Sequence, residues 1–465
     1  MNFFSIEFSF IFLVFLIIYW NIKNLTLQNL CILLLNYILV YIFGGIAAFF
    51  TLLFYTFFIH FAALFIAHKK NHFALLSSIF LSICILCFFK YYTSLKDFFS
   101  QIFISIGFSS IQADVLMPLG LSFYVFTSIT YLYSVFQEEE NEPTLNPSLQ
   151  SFESLMVYLS FFPTFIAGPI MRAPFFFEQL HQKRIWDKSM VPTILVLLIF
   201  GIFKKIIIAN YAGIYSTPIL QDPTHQDTFH LILALYGYAI QIYCDFSGYV
   251  NLVSAFALMI GFHLPPNFNM PYTARNLKDF WARWHISLST FIRDFIYIPL
   301  GGNKKGILLT QIFVLISFGL SGIWHGNTIN FLIWGILHGL GIVFINILRH
   351  YNISFKKVPL LPKLITFHYV CFCWIFFYYD QFQESLDFIK TLSFGFYFNS
   401  GQLSILLIAL LGFIIYQFFI DFFELCVKFF SLIPQKLLFI ILIPIAFIIF
   451  TLMPNGIPNF IYAGF

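Results

Sequence analysis

QNLCILLLNYILVYIFGGIAAFFTLLFYTFFIHFAALFIAH, residues 28–68, runs for 41 positions without an Asp, Glu, Lys or Arg. A helix needs about 20 apolar residues to cross a bilayer, because each residue adds about 1.5 Å against a hydrocarbon core about 30 Å thick. This stretch alone holds two crossings, expected at 29–43 and 46–67 with Gly44 and Gly45 between them. Working outward, apolar runs recur at 3–20, 73–89, 116–136, 155–170, 191–208 and 229–262, the last long enough for two short spans. Five more follow at 307–320, 329–348, 365–379, 403–423 and 437–453. The whole chain of 465 residues is 60% apolar and 9% charged, where a soluble domain has about a quarter of its residues charged. An all-α integral membrane protein of about 11–13 spans is expected, as one membrane-embedded domain over 1–465.

The net charge of +4 is spread along the chain, and no basic stripe points to nucleic acid. The seven cysteines lie in or beside apolar runs and lack the spacing of a zinc site or a disulfide framework. No metal is expected. The first apolar run has no basic n-region and no small-residue cleavage site after it, so it reads as a retained span. Lys23, Lys69 with Lys70, Arg349 with Lys356, Lys357 and Lys363, and Lys428 with Lys436 fall at alternate loops. They mark the cytoplasmic side if 229–262 counts as two spans, and both termini are then expected outside, in the periplasm. Lys90 and Lys96 break this pattern.

Residues 275–302, RNLKDFWARWHISLSTFIRDFIYIPLGG, concentrate charge and aromatic rings. At 100° per residue Trp281, Trp284, Leu288, Phe291, Ile292 and Phe295 share one face, and Asp279, Arg283, Thr290, Arg293 and Asp294 the other. His285 lies at the edge of the apolar face. Asp279 stands four residues before Arg283, a favourable helical pair. The segment is expected to lie in the interface or to re-enter the membrane, and its plainest role is anchoring by Trp and Arg.

A second histidine sits in a harsher place. His325 lies in SFGLSGIWHGNTINFLIWGILHG, residues 317–339, with apolar residues on both sides and Trp324 and Asn327 beside it. Gly319, Gly322 and Gly326 are expected to let backbones approach and to break the helix locally. An ionisable group at membrane depth is a functional candidate by default, and imidazole is the cheapest to keep neutral and basic. His338, thirteen residues on, shares the setting. Asp245 in QIYCDFSGY reads either as a proton carrier or cation ligand of a transporter, or as a carboxylate that pairs with an arginine and orients a histidine. P-loop, dinucleotide, HExxH and GxSxG signatures are absent.

Around these residues the sequence resembles the membrane-bound O-acyltransferase family, in its bacterial polysaccharide branch. The resemblance is carried, in order, by MPLGLSFYVFTSITYL, SFFPTFIAGPIMR, QIYCDFSGYVNLVSAFALMIGF, RWHISLSTFIRDFIYIPLGG and SGIWHGNT. It makes 117–339 the motif core and 365–465 the C-terminal spans and tail. The resemblance implies a ring of tilted helices with re-entrant segments around a thin central funnel. It assigns His325 as the family's essential histidine, a general base on the attacking hydroxyl. His285 becomes the second motif histidine, set to orient or polarise the acyl carbonyl. Trp324, Asn327, Asp245, Arg283, Trp284 and His338 are expected to support the site or line the funnel. The tail Phe460, Ile461, Tyr462, Ala463, Gly464 and Phe465 resembles the aromatic C-terminal motif in which a tyrosine relays the acyl group. Ala463 and Gly464 depart from that motif, and an aromatic membrane anchor is the other reading of the tail.

The implied activity is transfer of acetyl groups from a cytoplasmic thioester, acetyl-CoA, across the bacterial inner membrane. The final acceptor is a cell-envelope glycan, peptidoglycan first and alginate or another exopolysaccharide second, reached through a separate periplasmic SGNH-type transferase. No bound cofactor is expected. A proton-coupled transporter or flippase is the alternative from another class, but the matching broken helices it needs in two halves are not seen in the sequence.

Overall fold

The computed structural model describes residues 3, 5–107, 115–137, 149–352, 360–393 and 399–454. Regular structure among these residues is helical, apart from an isolated antiparallel bridge between Phe268 and Trp284. Eight of the described helices are long and apolar enough to cross a membrane: Leu25–Lys69, His72–Lys90, Lys188–Gln221, Thr228–Met259, Ile307–His325, Ile329–His350, Leu360–Tyr378 and Gln435–Leu452. Glu7–Asn21 and Ser400–Tyr416 are shorter apolar helices. Leu25–Lys69 is two helices joined at Gly45, whose φ of 72° breaks the spiral where the two expected spans meet. Glycine adopts that left-handed backbone without steric cost.

Two expected spans differ. Residues 155–170 do not cross as one helix but form Phe152–Ser160 and Phe162–Phe165, with Pro163 in the first turn of the second. Proline cannot donate to the preceding turn and disfavours helix in the residue before it. The freed polar groups are caught by buried Asn36, which accepts from the Phe162 N–H at 3.1 Å and donates to Ser160 Oγ at 3.1 Å. Residues 229–262 are not two spans, because Thr228–Met259 is one helix of 32 residues.

The chain divides into two compact units, Met1–Lys188 with Phe256–Leu264 and Ser189–Ala255 with Pro265–Phe465. In the first, Tyr19 and Trp20 donate to the carbonyls of Ile260 and Met259 at 2.9 and 3.0 Å, capping the end of a helix against the first span. Buried Arg184 lies over the Phe262 ring at 5.0 Å.

The second unit holds the candidate site. Ile307–His325 is unbroken through Gly319 and Gly322, contrary to the expected local break, and it ends at Gly326 in extended backbone. The glycines serve approach instead. A Cβ on Gly322 would stand 2.2 Å from the Phe331 carbonyl oxygen, and one on Gly335 would stand 2.2 Å from that of Phe318. Ile307–His325 and Ile329–His350 therefore cross in backbone contact, the small-residue packing that membrane helices use in place of a hydrophobic drive.

Residues 275–302 are not one helix either. Leu277–Trp281 stops, the chain turns, and Ile286–Ile292 starts after His285 in left-handed backbone at φ 42° and ψ 55°. The turn closes because residues 267–269 pair with it: Asn269 N–H donates to the Arg283 carbonyl at 2.9 Å and Ile286 N–H to the Asn267 carbonyl at 3.0 Å. Asp279 and Arg283 do meet, at 2.7 Å.

Gly322→Ala should lower stability in detergent by about 1–3 kcal/mol, since a methyl group must displace a backbone carbonyl. Gly412→Ala, with nothing within 4 Å of the new carbon, should leave the melting temperature unchanged or slightly higher. Equal melting of both variants would refute the close crossing.

Candidate active site

His325 is the last residue of Ile307–His325 and is 2% exposed. Its ring meets Trp324 at 4.6 Å, Trp334 at 4.9 Å and Phe377 at 5.2 Å between centroids. His285 is 1% exposed and packs edge-on against Phe246 at 4.8 Å. A continuous aromatic wall joins the two histidines. Trp284, next to His285, lies 5.1 Å from Trp374; Trp374 stacks on Trp334 at 6.1 Å; and Trp334 touches His325.

The protonation of His285 is set by its partner. Asn267 Oδ1 accepts from the Ser287 backbone N–H at 3.0 Å and from Ser287 Oγ at 2.8 Å. A backbone N–H can only donate, so the amide atom facing it is oxygen. That oxygen also faces His285 Nδ1 at 3.2 Å, so Nδ1 carries the ring proton and Nε2 of the neutral ring keeps its lone pair. The neutral imidazole can orient a hydroxyl by accepting from it. Polarising the acyl carbonyl, the role expected of His285, needs an N–H at Nε2, and this neutral tautomer has none there.

His338 has the opposite arrangement. Trp281 Nε1–H donates to His338 Nδ1 at 3.3 Å. Indole nitrogen only donates, so the proton of neutral His338 sits on Nε2. The ring is 0% exposed, stacks with Phe280 at 6.0 Å and meets Trp334 at 4.9 Å.

Other expected site residues lie elsewhere. Asp245 forms a buried ion pair with Lys205, a lysine where an arginine was expected, and Lys205 lies in a π-helical turn, Phe203–Ile208. Asp245 touches the site through its neighbour, since Phe246 packs on His285. Arg283 points away to Asp279 and to the Asn269 carbonyl, at 3.3 Å, and so holds the turn. Asn327 is exposed on the link between the two crossing helices. Trp324 packs edge-on against His325, and Trp284 is in the wall. Tyr462 lies outside the described residues.

The sequence profile of the membrane-bound O-acyltransferase family matches residues 12–379, a range that includes both histidines and the aromatic wall. The chain belongs to this family. Like other membrane-bound O-acyltransferases it is a multi-pass membrane protein, with helices to match. It is 33% identical over 334 residues to a peptidoglycan O-acetyltransferase of Helicobacter pylori, covering 66% of this chain and 62% of that one. It is 31% identical over 334 residues to a probable alginate O-acetylase of Pseudomonas aeruginosa, covering 71% and 61%. A teichoic acid D-alanyltransferase of Bacillus subtilis is 29% identical over 271 residues, covering 55% and 67%. The matched part spans about three fifths of the length of the first two relatives.

Sequence reasoning passed over Asn267, Lys205, Trp334 and Trp374. For Lys205 a signal existed, since Lys204 and Lys205 interrupt an apolar run at membrane depth. Asn267 gave none, because a short amide in NFNMPY reads as a turn residue. In this membrane-bound O-acyltransferase, breaking the Asp245–Lys205 pair from either side leaves a buried charge, a loss of about 3–5 kcal/mol. Asp245→Asn and Lys205→Met should each cut the yield of folded protein. The double variant should recover most of it, measured by size-exclusion in detergent. Singles that fold normally yet lose activity would make the pair part of the chemistry.

Proposed function

We propose that this chain is an O-acyltransferase that moves acetyl groups from cytoplasmic acetyl-CoA outward across the bacterial inner membrane for O-acetylation of a cell-envelope polysaccharide. The observation that carries this is the burial of His325 and His285 on one aromatic wall inside the residues that match the family. Two imidazoles shielded from water suit proton transfer in acyl exchange, where side-chain bases contribute roughly 10²- to 10⁴-fold.

His325 is the general base. It takes the proton of the attacking hydroxyl as that oxygen bonds to the thioester carbonyl carbon. When the C–S bond breaks, the leaving thiolate takes the proton from His325, so ROH and the thioester become the ester and the free thiol. Before attack His285, proton on Nδ1, accepts from the incoming hydroxyl through Nε2 and orients it; the single O–H then turns to His325, which takes its proton. The first hydroxyl is that of Tyr462 or of a periplasmic SGNH-type transferase that passes the acetyl group to the glycan, with both ends of the chain facing that partner.

Peptidoglycan is the first choice of final acceptor, supported by the Helicobacter pylori relative, and the alginate O-acetylases support an exopolysaccharide as the second. A proton-coupled transporter is less well supported, because Asp245 is ion-paired with Lys205.

His325→Ala should lower acetyl content of the glycan by at least about 10²-fold while expression and membrane insertion stay near wild type. Mass spectrometry of the isolated glycan reads the result. The purified protein in liposomes should also exchange or hydrolyse acetyl-CoA, and wild-type acetylation in a well-expressed His325→Ala strain would overturn the assignment.

A further inference from the structure

The acyl-transfer reading leaves one part unfilled: a donor for the carbonyl oxygen, on which negative charge develops as the hydroxyl attacks. His285 in its neutral form cannot supply it. Two side chains on Ile329–His350 can. Trp334 Nε1–H and the N–H at His338 Nε2 are buried, and neither has an acceptor among the described residues. Trp334 is 1% and His338 0% exposed.

A buried donor left unmet costs about 1–3 kcal/mol, and an unmet donor in a native protein calls for an explanation. Two on one helix, four residues apart, stand on the same face one turn from each other. Their rings are in contact at 4.9 Å, and the Trp334 ring is the one that also meets His325 at 4.9 Å. Trp281 fixes the direction of the His338 donor, because its indole N–H occupies Nδ1 and leaves the ring proton on Nε2. Gly335, between the two, holds this face against Ile307–His325, since any side chain there would strike the Phe318 carbonyl.

We propose that Trp334 and His338 form the electrophilic half of the site: their two N–H groups bind the carbonyl oxygen of the acyl donor and stabilise the oxyanion of the tetrahedral intermediate. The step balances without another reactant. The hydroxyl oxygen bonds to the carbonyl carbon, the carbonyl π electrons move to the oxygen, and two N–H bonds hold that oxygen. On collapse the electrons return, the C–S bond breaks, and the thiolate takes the proton held by His325. The ligand class is a thioester, or another acyl donor with one carbonyl oxygen at the scissile bond.

The inference rests on the proposed acyl transfer, and two measurements separate their failures. The first is turnover of acetyl-CoA by full-length protein in liposomes. Trp334→Phe removes an N–H and keeps a ring, and His338→Leu removes the other donor. Each should lower kcat about 10²- to 10³-fold, the usual effect of losing one oxyanion donor, with little change in KM. His338→Gln, which can still accept from Trp281 and donate an N–H, should recover at least part of the loss. The second is the infrared carbonyl band of a ¹³C-labelled ketone analogue of acetyl-CoA bound to protein whose folding is checked by thermal melting. The band should lie at lower frequency in wild type than in Trp334→Phe or His338→Leu. An identical band in all three overturns the donor pair whether or not turnover is seen, and so does unchanged kcat in both variants. A lowered band in wild-type protein that never turns over acetyl-CoA overturns the acyl-transfer reading and leaves the donor pair standing as a carbonyl-binding site.

Discussion

Two backbones cannot come within van der Waals contact in a membrane unless side chains get out of the way, and at the crossing of Ile307–His325 on Ile329–His350 glycines clear that space. Gly322 and Gly335 bring carbonyl oxygens of the facing helix to where a Cβ would be. That approach sets His325, at the end of one helix, against Trp334, early in the other. With lipid as solvent there is no hydrophobic gain from hiding apolar faces, so close packing and internal hydrogen bonds must hold the helices. A larger residue at either glycine would part the helices and with them His325 from the aromatic wall.

The same solvent dictates how polar groups are placed within each unit. Water is not there to satisfy them, so each must find a protein partner or be kept for a substrate. Asp245 and Lys205 neutralise each other, and their pairing ties the helix that carries Phe246 to the π-turn beside it. Asn36 takes up the polar groups freed where Pro163 interrupts a helix. Asn267 serves three donors at once, and this one amide oxygen both closes the turn at His285 and selects its tautomer. Structure and chemistry there share one atom.

The membrane class, most helices and both motif histidines were legible in the sequence because they depend on composition, run length and local motif, which are one-dimensional. The misread segments share a physical cause. Residues 275–302 have helical periodicity throughout, yet the helix stops after Trp281 because a distant strand-like segment, 267–269, captures Arg283 and Ile286 by backbone hydrogen bonds. Residues 155–170 have the apolarity of a span, yet Pro163 and Asn36 turn them into two short helices. Tertiary capture of this kind leaves no trace in a hydropathy window. The partners of the histidines were hidden likewise: Trp374 looked like one more aromatic in a span, and only the fold places it between Trp284 and Trp334.

Three imidazoles of identical chemistry thus take different parts according to what faces them. An acceptor at Nδ1 leaves His285 a lone pair at Nε2; a donor at Nδ1 leaves His338 an N–H there. Since neutral imidazole has one proton for two nitrogens, a neighbour on one side decides what the other side can offer a substrate. Two tryptophans beside His338 bring a polar atom that leucine would lack. Trp281 uses its N–H to set a tautomer and Trp334 holds its N–H in reserve, while both bury large apolar rings at little entropic cost. Replacing Trp281 by Phe would keep the packing and release His338 Nδ1, so the two tautomers of His338 would compete. The ring would then sometimes present a lone pair where a donor is needed, and the wall would lose chemical definition without losing its shape.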